Sequence, residues 1–466
     1  MNHLKPNISL DVSPVFKKGQ NKELDAWIRN HRVDEVECVT PDLAGVARGK
    51  VMPALKFIRE ENVRMPVSIL LATVTGDFPE FDTEIRAYDV DADVILIPDI
   101  TTARAVPWAM DPSIQIIHDA FDRQGRPISF TSRNVLRRIL KLYEDKGWRP
   151  VISPEIEFYL TKPNTNPENP LEPPIGRSGR QSHSKQAYSL SAVDEFDRVI
   201  EHIYDYAEAQ SLNIDTILHE SGAAQLEINL QHGNPLELAD EVFLYKRLIR
   251  EAALQCGCYA TFMAKPMGNQ PGSAMHIHQS VVDSKTGKNI FSDAKGDATP
   301  AFSHFIGGQQ KYLTDAAILM APYVNSYRRL VPEMSAPINL DWGHDNRSVG
   351  LRAPRAKPEA RRLENRLVGA DANPYLAIAA SLACGYLGMI NEVKPRKEVT
   401  TEVLIPGRDL PTGLLDAAKA LDESKELRAV LGDLFVDVYV GIKRKEHEDF
   451  MLVISPWERE HLLLNV

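Results

Sequence analysis

The sequence predicts an α+β protein, and three observations predict it: strand-like segments dominate the first 125 residues, helical patterns dominate the last third, and between them polar groups alternate along four further strand-like segments. A chain of 466 residues, 43% hydrophobic, is long enough for an extensive buried core and for two or three domains. Its formal net charge of -10 argues against a general nucleic-acid binder and toward small-molecule partners. Residues 1–20 lack the apolar core of a signal peptide, and no stretch reaches the roughly 20 apolar residues of a membrane span. Cys38, Cys256, Cys258 and Cys384 offer neither a disulfide framework nor a paired CxxC zinc pattern. A cytoplasmic protein without membrane contact is therefore expected. Cys256 and Cys258, two apart, read as small core residues on one strand face.

In chain order, residues 23–30 carry a short helical signal, 36–40 a strand and 41–45 a turn ahead of the basic Arg48-Gly49-Lys50. The run at 93–98, Asp-Val-Ile-Leu-Ile-Pro, predicts a buried strand, and 114–118 a further short one. These predict a sheet-based N-terminal domain over 22–125, with a larger domain over 126–466. The larger part begins with a helix at 132–145, for which Thr131 or Ser132 is a plausible N-cap and Val135, Ile139 and Leu142 supply the apolar stripe. Residues 162–187, rich in Pro, Asn, Ser and Gly, predict an exposed loop, and 192–210 a single helix. Further helices are expected at 372–392, 413–422 and 433–448, the last with Lys443, Arg444, Lys445 and Glu446 as a solvated face.

Function is carried by Glu155-Ile-Glu157, Gln225-Leu-Glu227, His276-Ile-His278 and Arg362-Leu-Glu364-Asn-Arg366. In a strand, residues i and i+2 share a face, so each segment turns polar groups to one side and Ile156, Leu226, Ile277 or Leu363 to the other. Carboxylates this dense repel unless cations neutralise them. Glu155, Glu157, Glu220, Glu227 and Glu364 with His276 suit hard divalent ions, magnesium or manganese, better than zinc. Arg329, Arg347, Arg352, Arg362 and Arg366 add planar, permanently charged donors for phosphate or carboxylate. Metals with arginines form an inventory for phosphoryl transfer. Neither a Walker loop nor a GxGxxG motif is present, so a nucleotide would be held by metals and side chains.

At these residues the chain resembles the glutamine synthetase family. The motifs run in order: PEIEF at 154–158, HESGAAQLE at 219–227, KPM at 265–267, GSAMHIH at 272–278, NRS at 346–348, ARRLENR at 360–366 and NPY at 373–375. The resemblance implies a β-grasp-like N-terminal domain and a catalytic domain whose curved antiparallel sheet forms a funnel. It implies one metal on Glu157, Glu220 and Glu227 and another on Glu155, His276 and Glu364, with two or three magnesium or manganese ions per site and ATP as co-substrate. Arg347, as the catalytic arginine, with Arg352 and Arg362 would meet the phosphates, and His278 and Ser280 would lie near the nucleotide. Glutamate would rest against Gly272, Arg329 and Arg366. The implied reaction passes through γ-glutamyl phosphate, in a hexameric ring or stacked double ring with shared active sites.

Two departures bear on the acceptor. Glutamine-forming relatives carry a flap glutamate in a Pro-Gly-Tyr-Glu-Ala-Pro pattern; here 332–337 reads Pro-Glu-Met-Ser-Ala-Pro, placing Ser335 in the amine pocket. An FDGSS-like segment is missing, and 72–77 takes its place. Loss of both negative groups points away from ammonium and toward an organic amine, as in the γ-glutamylpolyamine and γ-glutamylmonoamine ligases. Met334 and Trp342 suit an apolar or aromatic amine, whereas Asp77, Glu80 or Glu333 suit the distal ammonium of a diamine. True glutamine synthesis and a non-catalytic structural relative are the alternatives. Pro271 and Glu359 also replace residues usual in the family, an asparagine and a lysine.

Overall fold

The structure is a computed structural model that describes residues 19, 21–60, 63–80, 91–332, 336–403 and 407–466. Helix α1 (Asn21–Asn30) precedes strands β1 (Glu35–Pro41) and β2 (Ala47–Pro53), and helix α2 (Ala54–Arg59) precedes β3 (Val63–Pro66), β4 (Asp93–Pro98), β5 (Arg104–Ala105) and β6 (Ser113–Phe121). They form one sheet in the order β2-β1-β6-β4-β3, with β5 added to β6. Among the described residues of this sheet, only β1 and β6 pair in parallel. The apolar run of β6 is buried on both faces as far as His118, as a central strand requires.

Helix α3 (Ser132–Glu144) buries Val135, Leu136, Ile139 and Tyr143 on one side. From the same helix Arg133, 3% exposed at its side chain, reaches Asp99 and Asp119 of the first sheet region and Asp240 beyond, at 2.8–2.9 Å. Strand β7 (Trp148–Thr161) opens the second sheet, followed by helices α4 (Leu190–Asp194) and α5 (Asp197–Ala209), strands β8 (Ile214–His219) and β9 (Gln225–Leu230), helix α6 (Pro235–Gln255), and strands β10 (Tyr259–Thr261) and β11 (Met275–Asp283). Helix α7 (Pro300–Ala316), strands β12 (Trp342–His344), β13 (Leu351–Ala353) and β14 (Leu363–Asn365), and helices α8 (Pro374–Ile390), α9 (Leu414–Glu423), α10 (Lys425–Leu431), α11 (Asp433–Met451) and α12 (Pro456–Leu462) complete the chain.

The second sheet runs β12-β13-β14-β11-β7-β9-β8, with β10 on β7, and curls into a nearly closed funnel. Helix α8 is buried all round from Pro374 to Met389, and α7 crosses it at glycines. A Cβ on Gly308 would meet the Gly388 Cα at 2.5 Å, so only two glycines permit so close an approach. Among the described residues no helix is long and apolar enough to cross a membrane.

Several local expectations differ. The helix expected at 192–210 is two, α4 and α5, broken where Phe196 turns into the core at 5% exposure. Cys256 and Cys258 lie on no strand. Cys256 ends α6, Gly257 takes φ 72°, and the Cys258 thiol lies 3.4 Å from the Ala253 carbonyl. Lys443 and Glu446 are not solvated: Lys443 is fully buried, 2.7 Å from Glu446 and 4.3 Å over the Tyr323 ring. Thr131 and Ser132 provide no side-chain cap; their hydroxyls donate to Ile128 and Asp42 carbonyls instead. Helices α6 and α7 carry no expectation from sequence. Both are weakly two-faced, because each is enclosed on most sides.

Candidate active site

Antiparallel register builds the site in rungs across the funnel's inner face. On the first, Glu157 of β7 stands directly opposite Glu227 of β9. Glu220, just past β8, brings its carboxylate into the same cluster, and ligand oxygens of all three lie within 4.8 Å of one another. Gln225 steadies the rung: its amide donates to Glu157 at 3.2 Å and to the Gly272 carbonyl at 3.0 Å. The Ala274 amide adds 2.7 Å to Glu157.

On the second rung Glu155 faces His276 of β11 on one side and Asn229 of β9 on the other. His276 Nδ1 lies 3.3 Å from Glu155 and 3.7 Å from Glu364. On the third, His278 pairs across to Glu364 of β14, and Glu364 to Arg352 of β13. Arg352 and Arg366 each donate to one Glu364 oxygen, at 2.7 and 2.6 Å. Arg362 Nε donates to His278 Nδ1 at 3.1 Å. A guanidinium only donates, so His278 carries its proton on Nε2 and gives that hydrogen bond to Glu155 at 2.9 Å. Ser280 follows two residues on, on the same face.

Electrostatics sort the carboxylates into two kinds. Burial, with the Glu220 charge, pushes Glu157 up to about 8. Burial together with Glu155, Glu157 and Glu220 pushes Glu227 up to about 9. Glu155 and Glu364 go the other way. Burial opposes their charge, but His276 and His278 hold Glu155 well below the usual carboxylate range, and His276 and Arg366 bring Glu364 down to about 2. Without a cation the first rung therefore holds protons on Glu157 and Glu227 at neutral pH rather than unpaired charge. Its all-oxygen donors fit a hard divalent cation, and the His276 group offers a second, mixed O/N set.

A cavity of about 220 Å³ lies among these rungs, lined by Glu155, Glu157, Glu220, Glu227 and His276 and by Arg329, Arg347, Arg352 and Arg366, with Glu364 outside the lining. Every expected glutamate-side residue is here. Arg329, 3% exposed, donates to the backbone carbonyls of Leu367 and Arg366 at 2.8 and 3.0 Å. Gly272 lets it pass, since a Cβ there would sit 2.6 Å from the arginine Cγ. Arg347 is exposed at the cavity wall, and its charge opposes the upward shift of Glu220. His278, Ser280 and Arg362 lie beyond the lining, on the outer rungs. Trp342 is half-buried with its indole N–H on the Arg396 carbonyl at 2.8 Å, and it does not line the cavity. Ser335, Met334 and Glu333 fall outside the described residues.

Three-donor groups also form from Glu155, Glu227 and His276, and from Glu155, His278 and Glu364. Glu227 thus belongs to two of these groups, and His278 shares one with Glu155 and Glu364. Asn229, which also lines the cavity, was readable as the next alternate residue after Gln225 and Glu227. Tyr188 was not. It stands at the cavity on a loop with φ 60°, its amide bonded to the His219 carbonyl at 2.9 Å.

Comparison with known proteins places these features in context. Residues 129–462 match the family model described as glutamine synthetase, catalytic domain. The chain is 35% identical over 437 residues to gamma-glutamylputrescine synthetase PuuA of Escherichia coli (strain K12), covering 92% of each protein. It is 32% identical over 429 residues to a glutamine synthetase of Pyrococcus horikoshii, covering 90% of each. A solved structure titled "Apo GmaS without ligand" superposes with a TM-score of 0.80 at 26% identity, over 95% of this chain and 99% of that one.

Proposed function

Because the chain belongs to the glutamine synthetase family, we propose that it is an ATP-dependent ligase joining the γ-carboxylate of glutamate to an organic amine. The observation that carries this reading is the convergence of two carboxylate-rich donor groups and four arginines on one cavity. Magnesium or manganese, when bound, would neutralise phosphate oxygens. The protein's own part is positioning. Glu157, Glu220 and Glu227 would hold one ion and Glu155, His276 and Glu364 another. Arg347 and Arg352 would meet the phosphoryl group, with Arg362, His278 and Ser280 toward the nucleotide. Gly272, Arg329 and Arg366 would seat glutamate, whose γ-carboxylate would attack the terminal phosphorus of ATP with loss of ADP; the deprotonated amine would then attack the acyl carbon, expelling inorganic phosphate and losing its remaining extra proton. A cavity of about 220 Å³ is too small for a whole nucleotide, which supports placing the base on the outer rungs.

Three observations support an organic acceptor. Ser335 replaces a carboxylate that would attract ammonium, the 72–77 segment replaces the second such group, and a relative named gamma-glutamylputrescine synthetase shares 35% identity. An alkyl ammonium of pKa about 10.4 must lose its proton before attack, so a base or a dry pocket belongs to this site. Asp77 and Glu80 lie on an exposed segment away from the chain's own cavity. That supports a site completed by a second copy, within a ring-shaped homo-oligomer in the cytoplasm, with 22–125 and 126–466 as its domains. Glutamine synthesis from ammonia is the second reading, favoured by the 32% identical relative.

Phosphate release with ATP, magnesium and glutamate across ammonia, alkylamines, aromatic amines, putrescine and spermidine, with mass spectrometry of products, separates the readings. A γ-glutamyl amide of one organic class, with little glutamine, is expected. Turnover with ammonia as efficient as with every organic amine would overturn the acceptor assignment.

A further inference from the structure

A second cavity, of about 630 Å³, lies between the turn at 44–47, Val74 and the outer face of α6. Lys246 and Arg250, one turn apart on α6, both face it and both stand over the ring of Phe262. The ammonium is 5.6 Å and the guanidinium carbon 5.1 Å from the ring centroid. Lys246 is only 9% exposed and donates to the Ala372 carbonyl at 2.7 Å, which uses one of its three N–H groups.

Among the described residues, no carboxylate reaches ion-pair distance of either cation. Arg247, between them, shows the contrast: it closes on Glu37 and on Gln115. The acid on the cavity wall, Asp371, accepts from the Ser326 hydroxyl at 2.6 Å through Oδ2 and leaves Oδ1 without a hydrogen-bond donor among the described residues, yet neither oxygen comes within ion-pair distance of Lys246. Like charges at i,i+4 repel. Burial, compounded by the Arg250 charge, pushes Lys246 down to about 7. An anion between the two cations would relieve both penalties, and the Phe262 ring offers a flat apolar floor beside it.

We infer that this cavity is an anion-binding site, separate from the catalytic one, that takes a small carboxylate or phosphate between Lys246 and Arg250. Its wall leads toward the active site. Asn325 exchanges two hydrogen bonds of 2.9 Å with the Lys265 backbone, and the turn Val324–Arg328 runs straight into Arg329. Occupancy therefore reads out as a change in KM for glutamate.

Isothermal titration of the full chain with inorganic phosphate, and separately with succinate, tests the site in the native protein and in Arg250→Gln. Loss of one of two cationic partners is expected to weaken binding of at least one anion about tenfold. The glutamate KM of Arg250→Gln without added anion stays at the native value, and its response to anion disappears. Phosphate held in the catalytic cavity is untouched by this substitution, so the difference isolates the second site. Lys246→Met gives the same loss if it folds; Arg250, at the rim, keeps the test clear of folding. Weakening of phosphate alone, or of succinate alone, supports the site and identifies its ligand. Equal affinity of both proteins for both anions overturns it, whatever amine the enzyme uses.

Discussion

Glu227 is the residue at which function works against stability. Its carboxyl, held up to about 9, and that of Glu157, up to about 8, bind protons in the folded chain that the unfolded chain has released above about pH 4.5. Their contribution to the stability of the metal-free protein is therefore fully present below about pH 4.5 and is lost as pH rises through 8 and 9. Thermal melts with a chelator, from pH 5.5 to 8.5, should show that decline; magnesium should restore the midpoint more at pH 8 than at pH 6. Glu227→Gln should flatten the decline and stabilise the metal-free protein at pH 8 by about 1–3 kcal/mol, while turnover is lost. A chelator-treated variant that melts no higher than the native chain at pH 8 would refute this charge assignment. Glu364→Ala acts differently. It strands Arg352 and Arg366, each now holding one of its oxygens, and should cut phosphate release by more than the roughly 10–100-fold typical of an outer metal partner. Near-native activity would remove Glu364 from the site. The alternation of polar and apolar residues made these side chains legible from sequence. Their pairing was not: Glu155 meets His278 across 123 residues of chain, and only strand register brings them together.

At the scale of elements, α3 couples the first sheet to helix α6 through one buried cation. Arg133 gathers Asp99, Asp119 and Asp240, and Tyr375 donates its hydroxyl to Asp240 at 2.7 Å. Arg137 still holds Asp119 at 2.7 Å and lies 3.8 Å from Asp99, so removing the Arg133 guanidinium leaves the buried Asp240 without a counter-charge, and Arg133→Met should cost about 3 kcal/mol in urea unfolding. Loss of less than about 1 kcal/mol would mean that these acids find water or protons instead. The apolar stripe of α3 follows from its sequence, but the burial of Arg133 does not, because its acids come from segments up to 107 residues away. The same reason defeats the solvated reading of α11. Lys443 and Glu446 look like a surface pair one turn apart, yet Tyr323 covers the lysine and the Val74 amide takes the second glutamate oxygen at 2.8 Å. Phe196 splits α4 from α5 by a packing demand that no local propensity announces.

For the whole molecule, strand-rich and helix-rich stretches along the chain made the α+β class legible, and the motif order carried the funnel. Strand order within each sheet is set by long-range pairing that periodicity does not encode. Assembly belongs to this scale as well. Beyond Met451 the chain exposes Leu452 at 80%, Val453 at 63%, Ile454 at 60%, Trp457 at 63% and Leu464 at 92%, and α12 buries no residue of its own. A contiguous apolar surface of this kind marks an interface. The helix is nonetheless preformed, with a capping box between Ser455 and Glu458 and a tether from Arg459 to Glu168 at 2.7 Å. A preformed helix flanked on both sides by exposed apolar residues suits insertion against a second copy of the chain. Ending the protein after Met451 should therefore reduce the size of the assembly in analytical ultracentrifugation. Chelator-treated truncated and full-length chains, compared at dilutions that dissociate both, should unfold at similar urea concentrations, since the removed segment contributes little to the single-chain core. An unchanged sedimentation coefficient would show that residues 452–466 contribute nothing to self-association.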